Sequence, residues 1–498
     1  MAPGTDGRSG IGGASGGESR HGSRQQQQDS TPHAGTQDTT GGAGSPWGGP
    51  SAHLHGDRLK PVPQRQEQCA WYTRAILGRE KRSIGLLQAT CMVAGIIIGA
   101  SIFVQPSEIN RHVPSVAGVL SVWIAAGVLT LFGSLVSAEL ATVYPRTGGV
   151  YVYLKETLSP ACGFLWGWAM FWSTHSGIIA ASSVIFARYV GYFVPLGDTG
   201  TRVVAIGGIL VFSAVNYVGV RQGSGLQTAV TISKVAVIAL LLVMVAFWSA
   251  PARHAAGVVA EPAAPFREFV LAVSAALFSY GGWHMVTYTA GETRDPARTI
   301  PRALLIGSLT VTACYVALNA AYLRLLPLDR VVSSTRVAAD AAQVMAGDRG
   351  ALLISALVIL SATGVLNGVI LAGPRTYYAM AAEGLAFRWL GVLHPRFETP
   401  HRALVLQAVW SCALVATGTY RALFTRVIYT EWIFFALMSV GLMRLRRRVR
   451  LVPVVFAIAA LLVAAIQIQA DVQQAAGGLL LVIAGLPVYW LRRRYVKW

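Results

Sequence analysis

The sequence predicts an all-α integral membrane protein of about twelve transmembrane helices, and three observations carry that reading. The 498-residue chain is 54% hydrophobic and only 13% charged, whereas soluble chains carry roughly 25% charged residues. Its charges gather in short clusters between apolar runs, each reaching the roughly 20 residues a bilayer crossing needs. Glycines interrupt two of these runs, at Gly95-Ile96-Ile97-Ile98-Gly99 and at Gly281-Gly282.

The runs follow in order. The first covers 84–109 and holds the first interruption; the second and third cover 116–142 and 162–192. The fourth and fifth, 202–220 and 226–249, are separated by Arg221-Gln222-Gly223. The sixth, 266–291, breaks at Gly281-Gly282. Then come 300–325, 350–380, 402–419, 427–443, 451–469 and 475–491. Between the seventh and eighth lies 326–349, where Asp329, Asp340 and Asp348 balance Arg330, Arg336 and Arg349. Within it, 331–346 reads as a short surface helix.

Residues 1–83 read as a disordered cytoplasmic tail, rich in Gly, Ser and Gln, with the tract Gln25-Gln26-Gln27-Gln28 and no apolar signal-peptide core. Residues 84–443 form the expected ten-helix core, and 444–498 add two helices and a basic end. The net charge of +19 is spread over alternate loops, not gathered in one patch, so nucleic acid is not the expected partner. Clusters such as Arg79/Lys81/Arg82, Arg294/Arg298/Arg302 and Arg444/Arg446/Arg447/Arg448 fall on one side. The positive-inside rule makes that side, and both termini, cytoplasmic, in a plasma or inner membrane. The five cysteines are scattered without metal-ligand or redox spacing, so no metal and no cofactor is implied.

The interruptions carry the chemistry. In hydrocarbon the freed amides and carbonyls need partners, so a broken helix survives where it lines a cavity. Close packing through small residues would explain a single glycine run. A second interruption favours a cavity. The broken runs are the first and sixth, five spans apart, and so run in opposite directions. That is the pattern of an inverted five-plus-five repeat holding a solute between two discontinuous helices. A half-helix N-terminus there suits a carboxylate. The sequence shows neither a filter-like loop for a channel nor a nucleophile–base pair, metal cluster or phosphate loop for an enzyme.

Several stretches resemble the amino acid–polyamine–organocation superfamily of permeases, and within it the L-type amino-acid transporter branch in a bacterial-like form. These are Gly95-Ile96-Ile97-Ile98-Gly99-Ala100-Ser101-Ile102-Phe103, the loop from Glu139 through Tyr144-Pro145-Arg146-Thr147-Gly148-Gly149, and Phe278-Ser279-Tyr280-Gly281-Gly282-Trp283. Gly364 to Gly368 with Arg375-Thr376-Tyr377-Tyr378, and His394-Pro395-Arg396, are similar to the eighth span and its exit. The resemblance runs from about Ser83 to the C-terminus. It implies a leucine-transporter-like fold and sodium-independent transport of amino acids, foremost neutral L-amino acids, by alternating access, as an exchanger (antiporter) or with protons. A polyamine or organic-amine permease, or a transporter-like amino-acid sensor, is the alternative.

By position, the resemblance implies that amides of Gly99, Ala100 and Ser101 hold the substrate carboxylate. Carbonyls near Ile97, Phe278, Ser279 and Gly281 would hold the ammonium, with Phe278 as an aromatic gate. Many L-type members read Gly-Ser-Gly where this chain has Gly99-Ala100-Ser101, so the hydroxyl is displaced by one residue. Animal L-type chains join a partner glycoprotein through a cysteine after the third span. Residues 193–201 contain none, so no disulfide-linked heavy chain is expected.

Other polar residues complete the expectation. An ammonium inside the fifth run, at Lys234, needs a partner or a role. The resemblance gives it the place of a sodium ion, bridging the broken first span to the eighth; snorkelling to the nearby face is the alternative. Trp283 and His284 could reach the substrate side chain, while a hydrogen-bonded structural histidine is the blander reading of His284, as of His175. Asn367 could bond substrate or serve as interhelical glue. Glu139 and Glu292 read as loop ion-pair or gate residues. No intramembrane acid is expected to face the cavity, which argues against cationic substrates.

Overall fold

The computed structural model describes residues 84–145, 148–218, 224–247, 264–397 and 399–495; the tail read over 1–83 lies outside them. Among the described residues the regular structure is helical, apart from one isolated bridge between Ile84 and Thr293. Nine helices there are long and apolar enough to cross a membrane. The other three runs are the broken pair α1 (Leu86–Ile97) and α2 (Gln105–His112), then α7 (Ser224–Phe247) and α12 (His401–Thr417).

Local chemistry sets the helix starts. Ser115 opens α3 (Val116–Val143) by accepting from the Gly118 amide. After α4 (Gly149–Thr157), Ser159 caps α5 (Pro160–Val190) through the Cys162 amide, with proline at its first turn. Such side-chain acceptors satisfy amides that have no partner inside the helix. A π-helical turn at Met170–Thr174 interrupts α5. Then follow α6 (Asp198–Val218), α7, α8 (Phe266–Ser279) and α9 (Pro296–Leu325). Thr419 caps α13 (Tyr420–Arg446), and Asp471 separates α14 (Leu451–Ala470) from α15 (Val472–Ile483); α16 (Gly485–Tyr495) closes the described chain.

The segment read as one surface helix is divided between two. It forms α10 (Leu328–Ser333) and the start of α11 (Val337–Ala382), which kinks at Ala346 and Gly347. Val331 and Val337 are fully buried, and Arg111 donates to the Val332 carbonyl at 3.3 Å. Its apolar face packs on the bundle while Asp329, Arg330, Ser333 and Gln343 stay exposed, so the segment lies on the surface as an amphipathic element.

Helix α9 is the central strut, packed along both α3 and α1. A β-carbon on Gly307 of α9 would sit 2.6 Å from Val93 of α1, so the helices approach closely only because that position is glycine. Ser134 and Ser308 hydroxyls meet at 2.8 Å across α3 and α9. Large apolar side chains remain exposed on the outer faces, Leu210, Val409 and Leu461 among them, as a lipid-facing surface requires.

Candidate functional site

The two glycine interruptions are helix breaks, and they meet. Helix α1 ends at Ile97, and the Gly99 amide turns back to donate to the Ile97 carbonyl at 2.6 Å. A single 3-10 turn, Ser101–Phe103, leads on to α2. Helix α8 ends at Ser279, and the chain turns at Gly282, with φ +91°, into a 3-10 segment at Trp283–Thr289. That φ favours glycine. A β-carbon there would also lie 2.5 Å from Cγ2 of Ile96, so the second break presses directly on the first.

Tyr315 of α9 joins them. Its hydroxyl lies 2.7 Å from the Ile97 carbonyl oxygen and 3.1 Å from that of Ser279. Nothing in the sequence marks Tyr315, a tyrosine in mid-run. It also alters the expected role of Ile97: the carbonyl already accepts from Tyr315 and Gly99, which uses both its lone pairs. By the same bond the Gly99 amide is engaged within the chain. The amides of Ala100 and Ser101 open the 3-10 turn and have no earlier carbonyl within it.

A cavity opens where the breaks meet. Ile97, Gly99, Ala100 and Ser101 line it from the first break, and Phe278, Ser279 and Gly281 from the second. The facing walls come from α5 (Ile178, Ser182), α11 (Val365, Val369) and α13 (Val427, Ile428, Glu431). The Phe278 ring packs on Phe424 at 5.6 Å and Tyr420 at 6.5 Å.

Other residues expected at the site stand apart from it. Trp283 packs against Phe435 at 5.0 Å. His284 is wholly buried behind the second break, with the Trp166, Trp283 and Phe435 rings around it. Trp283 and His284 therefore pack behind the cavity wall and do not line it, because the 3-10 segment turns both side chains into the bundle. Asn367 accepts from the Asn216 amide group at 2.7 Å, an interhelical bond between α11 and α6. Lys234 does reach a break: its ammonium donates to the Ile98 carbonyl at 3.2 Å. Among the described residues it makes no hydrogen bond to α11.

Glu431 corrects the expectation that no acid faces the cavity. It lies on α13, lines the cavity wall and is 2% exposed. In the sequence it sits among Tyr429, Thr430 and Trp432, close to the start of its run, where it resembles a span-end residue. The helix in fact begins at Tyr420, which carries Glu431 more than two turns into the bundle.

Ion pairs close both ends of the bundle. Arg421, at the start of α13, pairs with Glu108 of α2 through Nε at 2.9 Å and also through its terminal nitrogen, while Arg188 lies over the Tyr420 ring at 4.8 Å. At the opposite end Glu139 accepts from Arg446 at 2.8 Å and Arg450 at 3.1 Å, and Glu383 pairs with Tyr151 and Lys155.

Membrane-length helices around a cavity, formed where two of them break, define a carrier for a small solute. The chain belongs to the amino acid permease family: the family model described as "Amino acid permease" matches residues 84–482. It is 31% identical to the serine/threonine exchanger SteT of Bacillus subtilis (strain 168) over 425 residues, covering 82% of this chain and 96% of that one. It is also 26% identical to the human cystine/glutamate transporter, over 82% of this chain and 85% of the relative. A third relative, the mouse b(0,+)-type amino acid transporter 1, is 28% identical over 74% of this chain and 76% of its own. The protein is thus a multi-pass membrane permease for amino acids and not an enzyme.

Proposed function

We propose that this permease carries neutral L-amino acids by alternating access, independently of sodium, as an exchanger or with protons. The observation that carries the proposal is the meeting of both helix breaks in one cavity, with Lys234 held on the Ile98 carbonyl where a coupling cation would otherwise be needed. A zwitterion needs donors at one end and carbonyls at the other. The amides of Ala100 and Ser101 supply the donors. The Gly281 carbonyl faces the ammonium, with the Phe278 ring as the cover; the Phe278 carbonyl already accepts from the Gly281 amide at 3.2 Å. Exchange is supported by the similarity to a serine/threonine exchanger along nearly that protein's whole length.

In this reading the protein lies in the cell membrane with the Arg446 face cytoplasmic, and it works without a disulfide-linked heavy chain. Glu431 favours one second reading, an organic-amine permease, because a buried carboxylate suits an additional ammonium. The test is uptake of radiolabelled neutral amino acids into proteoliposomes in sodium-free buffer, with and without amino acid inside. Uptake only into preloaded vesicles makes the protein an exchanger; uptake into empty vesicles driven by a proton gradient makes it a proton-coupled importer. Absence of both defeats the proposal and favours the organic-amine reading.

A further inference from the structure

Resting on that reading and deepening it, we propose that Glu431 is the cation-binding carboxylate of the transport cavity. It holds a proton when the solute's side chain is uncharged, and the solute's own side-chain ammonium when there is one.

The geometry is that of a carboxyl group placed at a ligand and left without an internal partner. Its side chain lines the cavity at 2% exposure, and its Oε1 is buried with no hydrogen-bond partner. The neighbouring wall, Ile178, Val427 and Ile428, offers it nothing polar.

The charged groups on the elements packed against α13 are committed elsewhere. Lys155 of α4 is on Glu383, Glu139 of α3 is on Arg446 of α13 itself and on Arg450, which caps α14, and Glu268 of α8 is on His112 and Arg267. On α13 itself Arg421 is taken by Glu108, and Arg426 interacts with Tyr429. Other titratable side chains of this layer are His284 behind the second break, His175 of α5 and Tyr153 of α4, all buried, and the partly buried Tyr288. Among the described residues no lysine or arginine forms an ion pair with Glu431.

An unpaired carboxylate is costly in such a place, and a zwitterion does not relieve it. The solute's carboxylate and ammonium are consumed by the backbone at the two breaks and bring no net charge. Glu431 must therefore cross with a proton whenever the solute is a neutral amino acid. The carboxylate takes H+ from one side, the solute binds, both are released on the other, and no bond within the solute changes. A solute with a side-chain ammonium replaces that proton by an ion pair. Either way one positive charge faces Glu431 during the passage.

The experiment uses the full chain in sodium-free proteoliposomes, with radiolabelled L-serine as the neutral probe and L-lysine as the cationic one. For the wild type we expect an inward proton gradient to raise L-serine uptake about 3- to 10-fold, a lumenal pH dye to report acidification with it, and L-lysine to compete. In Glu431→Gln the ratio of uptake with and without the gradient should fall to about 1, the acidification should vanish, and L-lysine should compete at least 10-fold more weakly. Glu431→Asp should regain part of both responses. Loss of the gradient response marks the proton, and loss of L-lysine competition marks the ammonium.

Retention of both responses in Glu431→Gln overturns the proposal. So does a wild type that transports L-serine but shows neither response, a result that stands even if the variant does not fold. A wild type that neither binds nor transports neutral amino acids defeats the broader reading first, and this proposal with it.

Discussion

The ammonium of Lys234 lies 3.2 Å from the carbonyl oxygen of Ile98, the residue that caps the first half of a broken helix. A cation in hydrocarbon is tolerated where it has such an oxygen, and the oxygen of a helix end is tolerated where it has such a cation. Each therefore satisfies the other. Lys234→Ala removes the charge and leaves the Ile98 carbonyl without its donor, and a bond to a charged group contributes ~1.5–3 kcal/mol. Initial uptake of a neutral amino acid should drop at least about tenfold, and adding sodium should not restore it. Full uptake by the alanine variant would defeat the coupling role.

Tyr315 holds the two breaks in register through a single hydroxyl. Tyr315→Phe keeps the ring contacts with Trp123 and Tyr280 and removes only the polar link. The Ile97 carbonyl keeps its Gly99 donor, so the stability loss should be about 1 kcal/mol. Transport should suffer more than stability, because the breaks lose their common anchor. Thermal unfolding in detergent beside uptake rates separates the two. A variant with wild-type transport would reduce Tyr315 to packing.

Gly282 faces two demands at once. A side chain at φ +91° costs ~1–3 kcal/mol, and the new β-carbon collides with Cγ2 of Ile96, adding an overpacking cost of ~1–3 kcal/mol. Gly282→Ala should therefore be severely destabilised. Ile96→Ala, which removes Cγ2, should recover the packing part in the double variant but not the backbone part. Equal stability of the single and double variants would show that the breaks do not press on each other there.

These relationships mark where the sequence could be read and where it could not. The breaks were legible because glycines in a membrane-length run have few uses, and Ile97, Gly99, Ala100 and Ser101 at the first and Phe278, Ser279 and Gly281 at the second do line one cavity. Trp283 and His284 were misplaced. Beyond Gly282 the chain continues as a 3-10 helix, whose tighter turn redirects side chains in a way an α-helical period cannot anticipate. Glu431 and Tyr315 were missed for another reason. Each sits in a helix that is continuous in sequence, and only the packing of distant spans shows which face meets the cavity. Asn367 shows the reverse: a polar residue on the right helix, turned to a neighbouring helix and not to the solute.

The pair between Glu108 and Arg421 joins residues 313 apart in the chain and closes one end of the bundle above Phe278 and Tyr420. The Glu108 side chain is 11% exposed and that of Arg421 49%, so the carboxylate is the member that depends on the pair. Arg111 stands 3.9 Å away and offers only partial compensation. Removing one partner of a fully buried pair costs ~3–5 kcal/mol, whereas exposed pairs are worth ~0–1 kcal/mol. With the arginine half in solvent, Arg421→Ala should cost ~1–3 kcal/mol. Adding Glu108→Gln should return part of that loss, because a neutral amide no longer needs the missing cation. A double-mutant cycle on thermal stability measures the coupling. If the double variant is no more stable than Arg421→Ala alone, the charge on Glu108 is not what the arginine serves, and Arg421 acts through packing on the α2 end instead.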